Sequence, residues 1–561
     1  MNAEPLPRDE TLLLEYELLE LPTAQHKAGL AGLLLHLDSL AERGIPGAPT
    51  VEHLGQFAAS IRVDRNSLQV LFDDLYAARL ERVLVRSKYA NKTPLEETTV
   101  EVRRDGKLHQ EKRFVYEEVR PSGPVLTHWL REGDEDPWFK LWQNMLWSVL
   151  RAQPATRREY QARANEQPVG FGDKFWAAFT KAAKQRTKGK FVTESIAGSL
   201  FVGAQDKNAE RVIFVGRVEH NLLLHFWQWA TPIFVPRVLD PRKGNWNYQG
   251  FLLAIPEVAD LIEFPRDMKH YWQDLDPSRS GYRPAESLVD LAEEGGLEFL
   301  YHLVRQRLNK ADLNYGVHAI ELYHQEKRGN SVRQITAERL TPSKTLLGAY
   351  ERIRDDRRKH PLFKRLQIGN LVHGESWFHG ALDLFARFPA EFFIHGPNTP
   401  RGRFFGADVR HRFKQAIRDL ELKEQTMRTS SDDEALQRLI YQLIRSYVDL
   451  RTKNRAALPD KKYDALTTAE KKKYNDLKPK VAITAFLALR GRREQDITEY
   501  FTGTLCSTGH YLKEEEFLLL GNALMRDPDK VKNLAMLALS AHSWTAREKK
   551  DIPDTTETQA N

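Results

Sequence analysis

From Ser343 onward, apolar side chains recur every three or four residues, the spacing that places them on one face of an α-helix. The clearest stripe lies in residues 434–450 and consists of Leu436, Leu439, Ile440, Leu443, Ile444, Tyr447 and Val448. A helix with such a stripe buries it against other helices. The pattern therefore predicts a bundle, with helices at 343–359, 363–388, 407–425, 431–453, 467–475, 479–492, 494–503, 513–526 and 528–540.

The part of the chain before residue 341 mixes strand and helix patterns without strict alternation between them. Asp105-Gly106 is a strong hairpin turn signal between strands expected at 98–104 and 107–119. A second hairpin is expected at 316–340, turning at Lys327–Asn330. The other predicted elements are strands at 11–20, 211–216, 232–239 and 250–254, and helices at 23–42, 67–84, 138–150 and 173–185.

These patterns together predict an α+β fold, in which an irregular mixed N-terminal region precedes an all-helical C-terminal bundle. We expect an α+β domain at 1–340, a helical connector at 341–426 and the bundle at 427–545. The polar tail at 546–561 is expected to be disordered.

Several classes of protein are disfavoured by composition and by missing motifs. Cys506 is the only cysteine, so neither a disulfide framework nor a thiolate zinc site can form within one chain. The nearest match to a phosphate-binding loop, Pro342–Thr345, lacks the glycines whose amides hold phosphates. His373 and His379 are six positions apart, and no HExxH pair occurs. We therefore expect no enzymatic activity, no cofactor and no metal site.

The charge balance instead indicates a polyanionic partner. The formal net charge is +7 and the pI is about 9.1, which suits local basic tracks on a mixed surface. The start of the chain lacks a secretory signal pattern, and no apolar run is long enough to span a bilayer. We expect a cytoplasmic protein with no membrane partner.

Three basic segments are candidates for nucleic-acid contact. The first contains Lys181, Lys184, Arg186, Lys188 and Lys190; for this segment, phosphate contact and an ordinary solvated surface both remain open. The nearby Trp176 and Phe179 are expected to anchor the core rather than to stack on bases. The third segment places Phe404 and Phe405 among cations, a composition suited to single strands; its cations are Arg401, Arg403, Arg410 and Arg412.

The second segment is the loop at 242–249, which combines Arg242 and Lys243 with amide and aromatic side chains. Asparagine and glutamine can read base edges, and an aromatic ring can wedge into or stack on a base step. Turn formation explains Gly244 and Asn245 equally well. The candidate readers of a DNA sequence are Asn245, Asn247 and Gln249.

The block LELPTAQHKAGLAGLL at 19–34 resembles the N-terminus of the large subunit of type I CRISPR surveillance complexes (Cascade), in a type I-B-related branch of the so-called Myxan type. The predicted layout agrees over most of the chain. The resemblance implies a non-catalytic subunit that recognises the protospacer-adjacent motif, aids duplex opening and stabilises the displaced strand. It also implies that the C-terminal bundle resembles the Cascade small subunit.

The partners implied by this resemblance are guide CRISPR RNA, target double-stranded DNA, the displaced strand, and the backbone and guide-end subunits of Cascade. A downstream effector is also implied, either a helicase-nuclease or a transposition factor. Two other functions stay open: a nucleic-acid-processing enzyme with dispersed catalytic residues, and a helical scaffold that does not contact nucleic acid.

Met427 is a candidate internal start of translation. It precedes Ser430–Asp433, a good helix-capping sequence, and the first strongly amphipathic bundle helix. Lys423-Glu424 can be encoded as a ribosome-binding sequence at a suitable distance. Initiation there would yield residues 427–561 as a separate small subunit, whereas an ordinary surface methionine is the alternative.

Overall fold

The computed structural model describes residues 11–90, 92–104, 107–149, 154–187, 190–196, 201–202, 215–240, 245–281, 283–305, 314–329, 331–354, 360–394, 404–425, 431–458, 462–506 and 512–543. The chain divides into two compact units. The first, here the sheet unit, is Met1–Val238 with Asn247–Gly348. The second, the helical unit, is Leu239–Trp246 with Ala349–Asn561.

Strands pair almost entirely antiparallel. The main sheet has the order β10-β9-β11-β15-β16, with β14 parallel to β9; two further sheets are β1-β3-β2 and β4-β6-β5, and two short pairs are β7-β8 and β12-β13. The strands are β1 Leu12–Glu17, β2 Thr50–Leu54, β3 Ala58–Val63, β4 Ala78–Val85, β5 Glu96–Arg104, β6 Lys107–Pro121, β7 Thr193–Ser195, β8 Val215–Arg217, β9 Ile233–Leu239, β10 Trp246–Tyr248, β11 Phe251–Val258, β12 Arg279–Ser280, β13 Arg283–Pro284, β14 Leu288–Val289, β15 Val317–Arg328 and β16 Ser331–Leu340.

Helices of at least six residues occur throughout the described part of the chain. They are α1 Ala24–Glu42, α2 Arg65–Leu75, α3 Pro124–Trp129, α4 Pro137–Ser148, α5 Pro154–Ala164, α6 Gly170–Arg186, α7 Val218–Leu223, α8 Glu263–Asp274, α9 Ala292–Val304, α10 Lys344–Arg354, α11 Pro361–His373, α12 Ala381–Arg387, α13 Phe405–Gln425, α14 Asp432–Ala456, α15 Thr468–Arg490, α16 Glu494–Tyr500, α17 Glu514–Arg526 and α18 Pro528–Ser543. The α+β fold class predicted from the sequence is confirmed.

Helix α1 lies at the centre of the sheet unit, and small residues allow its close packing. The Thr23 side chain accepts a hydrogen bond from the amide of His26 and so caps the helix. A Cβ on Gly29 would lie 2.3 Å from the carbonyl oxygen of Leu223, and one on Gly32 would lie 2.1 Å from that of Phe226. The two glycines of the block at 19–34 therefore let the backbone of α1 approach the last residue of α7 and the segment that follows it.

Helix α18 is the central helix of the helical unit. Every residue from Val531 to Ser543 is buried, as expected for a helix that is covered on all sides. Helices α13 to α17 all contact it. The apolar stripe predicted on α14 is buried in the same core, with aromatic side chains from α11, α12 and α13.

Several predicted elements are confirmed with small changes at their ends. The hairpin expected at 98–119 is β5 and β6, whose turn Asp105-Gly106 lies outside the described residues; the hairpin expected at 316–340 is β15 and β16. Ser431 caps α14 in a reciprocal arrangement with Glu434. The expected tail at 546–561 also lies outside the described residues.

The helix predicted at 67–84 is wrong in its second half. Helix α2 starts after Asp64, which forms a capping box with Ser67, and ends at Leu75. Residues 78–85 form strand β4 instead, paired with β6 over its whole length. The apolar residues there fit a helical and an extended spacing equally well, so pairing with a distant strand decides the conformation.

Two helix boundaries in the C-terminal half are also wrong. The helix predicted at 363–388 is interrupted at Gly374, whose positive φ ends α11 before α12 begins. The helices predicted at 467–475 and 479–492 are one helix, α15, which continues through Pro479. Pro479 removes one backbone hydrogen bond, but Tyr474 and Val481 on either side are buried and hold the helix together.

Candidate nucleic-acid interface

The cations of the first basic segment lie on the solvent-facing side of α6. Lys181, Lys184 and Arg186 are exposed, while Trp176 and Phe179 on the opposite side are buried. The prediction that the two aromatic residues anchor the core is confirmed. The charged face of α6 is thus available to a polyanion and fixed in place by the packed face.

One of these cations has an acidic neighbour. The guanidinium of Arg186 lies 3.7 Å from the carboxylate of Glu15, and both side chains are largely exposed. Such a pair is weak in water, so it leaves most of the charge available. Lys190 is exposed just beyond the helix, and Lys188 lies outside the described residues.

The second segment forms the edge of the main sheet. Strand β10 is the outermost strand beside β9. Asn245 and Asn247 are exposed, whereas Gln249 is half-buried. The side chain of Gln249 interacts with Glu326. Arg242 and Lys243 lie outside the described residues. The structure therefore leaves Asn245 and Asn247 as the two accessible amides and gives Gln249 a partner within the protein.

The aromatic residues of this segment differ in exposure. Trp246 is half-buried and packs against the core of the helical unit. Tyr248 is 46% exposed, and the guanidinium of Arg283 lies 4.9 Å from its ring centre. A cation over the face of an aromatic ring is favourable and holds the ring in place. Tyr248 is thus the aromatic residue of the segment that is accessible to a base.

Backbone contacts fix the position of this edge. The amide of Gln249 donates to the carbonyl of Pro236 (2.8 Å), and the Nε2 of His324 donates to the carbonyl of Gln249 (2.6 Å). Gly250 follows with φ +63°, and a Cβ there would lie 2.1 Å from the carbonyl oxygen of Gln325. Only glycine fits at this position, so the end of the segment is held against β15.

The third segment begins outside the described residues with Arg401 and Arg403. Arg410 and Arg412 lie on α13 and are half-buried. The guanidinium of Arg412 lies 5.9 Å from the ring centre of Trp377 and donates to Gln415 (3.1 Å). Burial lowers the pKa of Arg412. Arg412 is thus built into the surface of the helical unit, with its guanidinium beside an aromatic ring.

Arg410 belongs to a cluster of cations from three helices. Arg410 on α13, Arg445 on α14 and Lys478 on α15 interact electrostatically, and we call them the three-helix cationic cluster. Burial, and then the charges of Arg410 and Arg445, lower the pKa of Lys478 to about 8, although Asp449 opposes this.

The three-helix cationic cluster interacts with a buried histidine, His542. The Nε2 of His542 donates to the carbonyl of Tyr441 (3.1 Å). Burial, and then the charge of Lys478, lower the pKa of His542 well below its usual value. His542 therefore adds no positive charge to the three-helix cationic cluster.

Sequence reasoning missed Arg283, Arg445 and Lys478. Arg283 is distant in sequence from Tyr248, and the other two cations sit on helices whose relative rotation no local pattern reveals. Lys472 and Lys473 of the same helix are exposed, whereas Lys478 is half-buried.

Within the described residues, no group of three or more His, Cys, Asp or Glu side chains is arranged to hold a metal ion. Over those residues, no helix has both the length and the apolarity needed to cross a membrane.

Comparison with known proteins connects both units to one class. A model of the type I-B CRISPR Cas8b N-terminal domain matches residues 48–312, and a model of the type I-B CRISPR Cas8b C-terminal domain matches residues 317–542. No curated protein matches the chain. The matches, in the order expected for one polypeptide, define a large subunit of a CRISPR Cascade complex, which works with guide RNA and DNA. The chain belongs to the type I-B CRISPR Cas8b family.

Proposed function

We propose that this large subunit recognises the protospacer-adjacent motif in duplex DNA, helps to open the duplex and holds the displaced strand. The observation that carries the proposal is the edge of the main sheet, where two exposed amides, Asn245 and Asn247, flank Trp246 and adjoin the accessible ring of Tyr248. Amides read base edges, and a held aromatic ring can enter a base step. Target sequence itself is read by the guide RNA.

Replacing Asn245 and Asn247 with alanine tests motif recognition. The Cascade complex assembled with this variant should lose discrimination between matched and mismatched motifs, by about 1–3 kcal/mol for each bidentate contact removed. Gln249→Ala should have a smaller effect because this side chain is engaged with Glu326. Asn165→Ala, an exposed asparagine elsewhere in the sheet unit, serves as the control. An unchanged discrimination ratio in the double variant would refute the assignment.

Duplex opening is assigned to Tyr248. In the assembled complex, Tyr248→Ala should reduce the reactivity of unpaired thymines next to the motif, measured by permanganate footprinting, while binding to a target with pre-opened bases is retained. Tyr248→Phe keeps the ring and should retain opening. If both variants open the duplex like the parent chain, Tyr248 is not the wedge.

The displaced strand is assigned to the helical unit. The three-helix cationic cluster and Arg412, which lies beside Trp377, combine cations with an aromatic ring, as single-strand tracks do. Arg401 and Arg403 are proposed to extend this track. Arg445→Gln with Lys478→Gln should increase nuclease sensitivity of the displaced strand in the assembled complex. Sensitivity equal to that of the parent complex would contradict the assignment.

We also propose that the chain catalyses no covalent step. The proposal is supported by the sequence, which lacks the glycine pattern of a phosphate-binding loop. Magnesium- or manganese-dependent DNA cleavage, or ATP hydrolysis, that persists through stringent purification would instead favour a nuclease with dispersed catalytic residues. If the complex assembles and binds guide RNA equally well with and without this chain, the chain is better described as a scaffold that does not contact nucleic acid.

Two finer assignments belong to the same proposal. The block at 19–34 supports membership of the so-called Myxan-type branch. Internal initiation at Met427, which lies outside the described residues, is proposed to supply residues 427–561 as a small subunit. The gene expressed with a C-terminal tag should yield a short tagged product, and Met427→Leu with recoding of codons 423–424 should remove it. A product that survives both changes starts elsewhere.

A further inference from the structure

Two arginines and two tyrosines from separate segments of the helical unit form a cluster. Tyr447 and Arg451 are one turn apart on α14, Arg492 lies between α15 and α16, and Tyr500 is the last residue of α16. The guanidinium of Arg492 lies 4.5 Å from the ring centre of Tyr500. That of Arg451 lies 5.9 Å from the ring centre of Tyr447, and the two tyrosine side chains interact with each other. We call these four residues the arginine–tyrosine cluster.

The core of the helical unit holds the two rings in place. Tyr447 is buried, and Tyr500 is half-buried between Ile497 and Phe501, which flank it in the sequence and are buried in the core. A cation over an aromatic face is favourable, so fixed rings also fix the guanidiniums. Because the rings are largely covered, the cluster presents cations to solvent rather than a surface for base stacking.

The charges of the two guanidiniums are not compensated by the protein. Among the described residues, the side chains of Arg451 and Arg492 form no ion pair and donate no hydrogen bond, and the Nε of Arg492 is buried without an acceptor. The acidic residues of α16, Glu494, Asp496 and Glu499, pair with neither arginine. Buried donors normally have partners. The two guanidiniums therefore retain donors for an anion from outside the chain.

Two further arginines extend this positive surface. Arg455 follows Arg451 by one helical turn, and Arg493 is adjacent to Arg492 in the sequence. Both are exposed, and within the described part of the chain neither forms an ion pair. The uncompensated charge thus extends from α14 to the start of α16. A surface of this kind attracts an extended polyanion rather than a single small anion.

This surface is distinct from the three-helix cationic cluster. Arg445 of that cluster and Tyr447 are two positions apart on α14, which places them about 200° apart around the helix axis. Arg445 is exposed, whereas the Tyr447 ring is buried in the core. The two groups of cations therefore lie on different sides of α14.

We propose that the arginine–tyrosine cluster binds the phosphate backbone of a nucleic-acid strand, as a second contact of the helical unit. A guanidinium presents a planar fork of N–H donors that matches the oxygens of a phosphate. Because the rings are covered, the contact carries little sequence information. The inference rests on the proposed function only in taking a nucleic acid as the polyanion.

Binding of a fluorescein-labelled oligothymidine to the purified full-length chain tests the inference. Arg451→Gln with Arg492→Gln should weaken binding by about tenfold or more. The slope of log affinity against log salt should become shallower by about 1.4, because each contact to a single strand contributes about 0.7. Arg451→Lys with Arg492→Lys keeps the charges but not the planar forks, so it should weaken binding and leave the slope unchanged.

The matched control removes two other exposed cations of the helical unit. Lys472→Gln with Lys473→Gln changes the net charge by the same amount, at positions about 30 Å along α15 from its C-terminal end. This variant should bind like the parent chain. Circular dichroism shows that each variant is folded.

Failure of this inference can be told apart from failure of the proposed function. Arg445→Gln with Lys478→Gln, combined with the two arginine changes, should multiply the two losses of affinity, because separate sites act independently. In the assembled complex, the arginine variant should lose nuclease protection of one strand, and whether that strand is the displaced DNA or the guide RNA identifies the ligand.

An arginine variant with the affinity and salt slope of the parent chain overturns the inference. The assignment of the displaced strand to the three-helix cationic cluster would then still stand on its own test. A loss equalled by the lysine control also overturns it, because the effect would be one of net charge. Unchanged oligothymidine binding with failed assembly of the complex would instead assign the cluster to an acidic protein partner and overturn it.

Discussion

The exposed cations of α6 allow a quantitative prediction for nucleic-acid binding. Replacing Lys181, Lys184 and Arg186 with glutamine removes charge from the outer face of the helix and leaves its buried aromatic face unchanged. Contacts to phosphate release counterions from the nucleic acid, so each lost contact makes the salt dependence of binding shallower. The variant Cascade complex should therefore bind target DNA more weakly, and its affinity should fall less steeply with salt.

The size of the effect follows from how available each cation is. Lys181 and Lys184 are neighbours on one face of the helix, whereas Arg186 shares part of its charge with Glu15 at 3.7 Å. Each phosphate contact to duplex DNA contributes about 0.9 to the slope of log affinity against log salt. We expect the slope to become shallower by about 2, mainly from the two lysines. Over a fourfold increase in salt, the parent complex should lose about tenfold more affinity than the variant.

The assay is equilibrium binding of the assembled complex to one target at several salt concentrations. Lys472→Gln with Lys473→Gln, two exposed cations of α15 outside the proposed tracks, is the matched control and should leave the slope unchanged. Discrimination between motifs should stay the same in the α6 variant, because phosphate contacts carry little sequence information. A parallel loss of affinity at all salt concentrations, with no change in slope, would refute the reasoning.

Three further predictions concern packing and protonation. Gly32→Ala should lower the free energy of unfolding by about 1–3 kcal/mol, because its Cβ would meet a backbone oxygen at 2.1 Å. Gly369→Ala, at a helical position with open space, should raise the free energy of unfolding by up to about 1 kcal/mol. Urea unfolding measures both changes. The pKa of Lys478 is lowered from 10.5 to about 8, so between pH 8 and pH 10.5 the unfolded chain binds more protons than the folded chain. The stability of the folded chain should therefore rise with pH over this range. Thermal unfolding of Lys478→Met should show no such rise. Burial raises the pKa of Asp74, but hydrogen bonds from His36 and Arg43 outweigh this effect and lower the pKa to about 2. The stability of the folded chain should therefore fall as the pH drops from about 4 to 2. This fall should be smaller in Asp74→Asn.

Elements fixed by local chemistry were predictable from the sequence. Thr23 marks the start of α1 and Ser431 the start of α14, because a capping side chain acts within one turn. The strands on both sides of Asp105-Gly106 were predicted because that dipeptide favours a tight turn between alternating residues. In each case the deciding contact joins residues that are close in sequence.

The wrong and missing predictions instead depend on contacts between residues that are distant in sequence. Residues 78–85 form β4 because every one of them pairs with a residue of β6. No pattern within residues 78–85 predicts this pairing. Arg283 supports Tyr248, and Lys478 joins Arg410, across long separations in sequence. A composition search finds dense runs of cations, whereas the fold builds a cluster from single cations on separate helices.

Packing within the helical unit bears on what an internal product starting at Met427 would be. The ring of Phe413 lies 4.8 Å from that of Tyr441, and Trp377 donates to Gln437. A Cβ on Gly406 would lie 2.2 Å from the carbonyl oxygen of Ser540, so α13 packs closely on α18. Residues 427–561 alone would lack these covering groups and expose the apolar faces that they bury. If the short product is made, its stability therefore depends on a partner that covers this face, and it should be degraded when expressed without the rest of the complex.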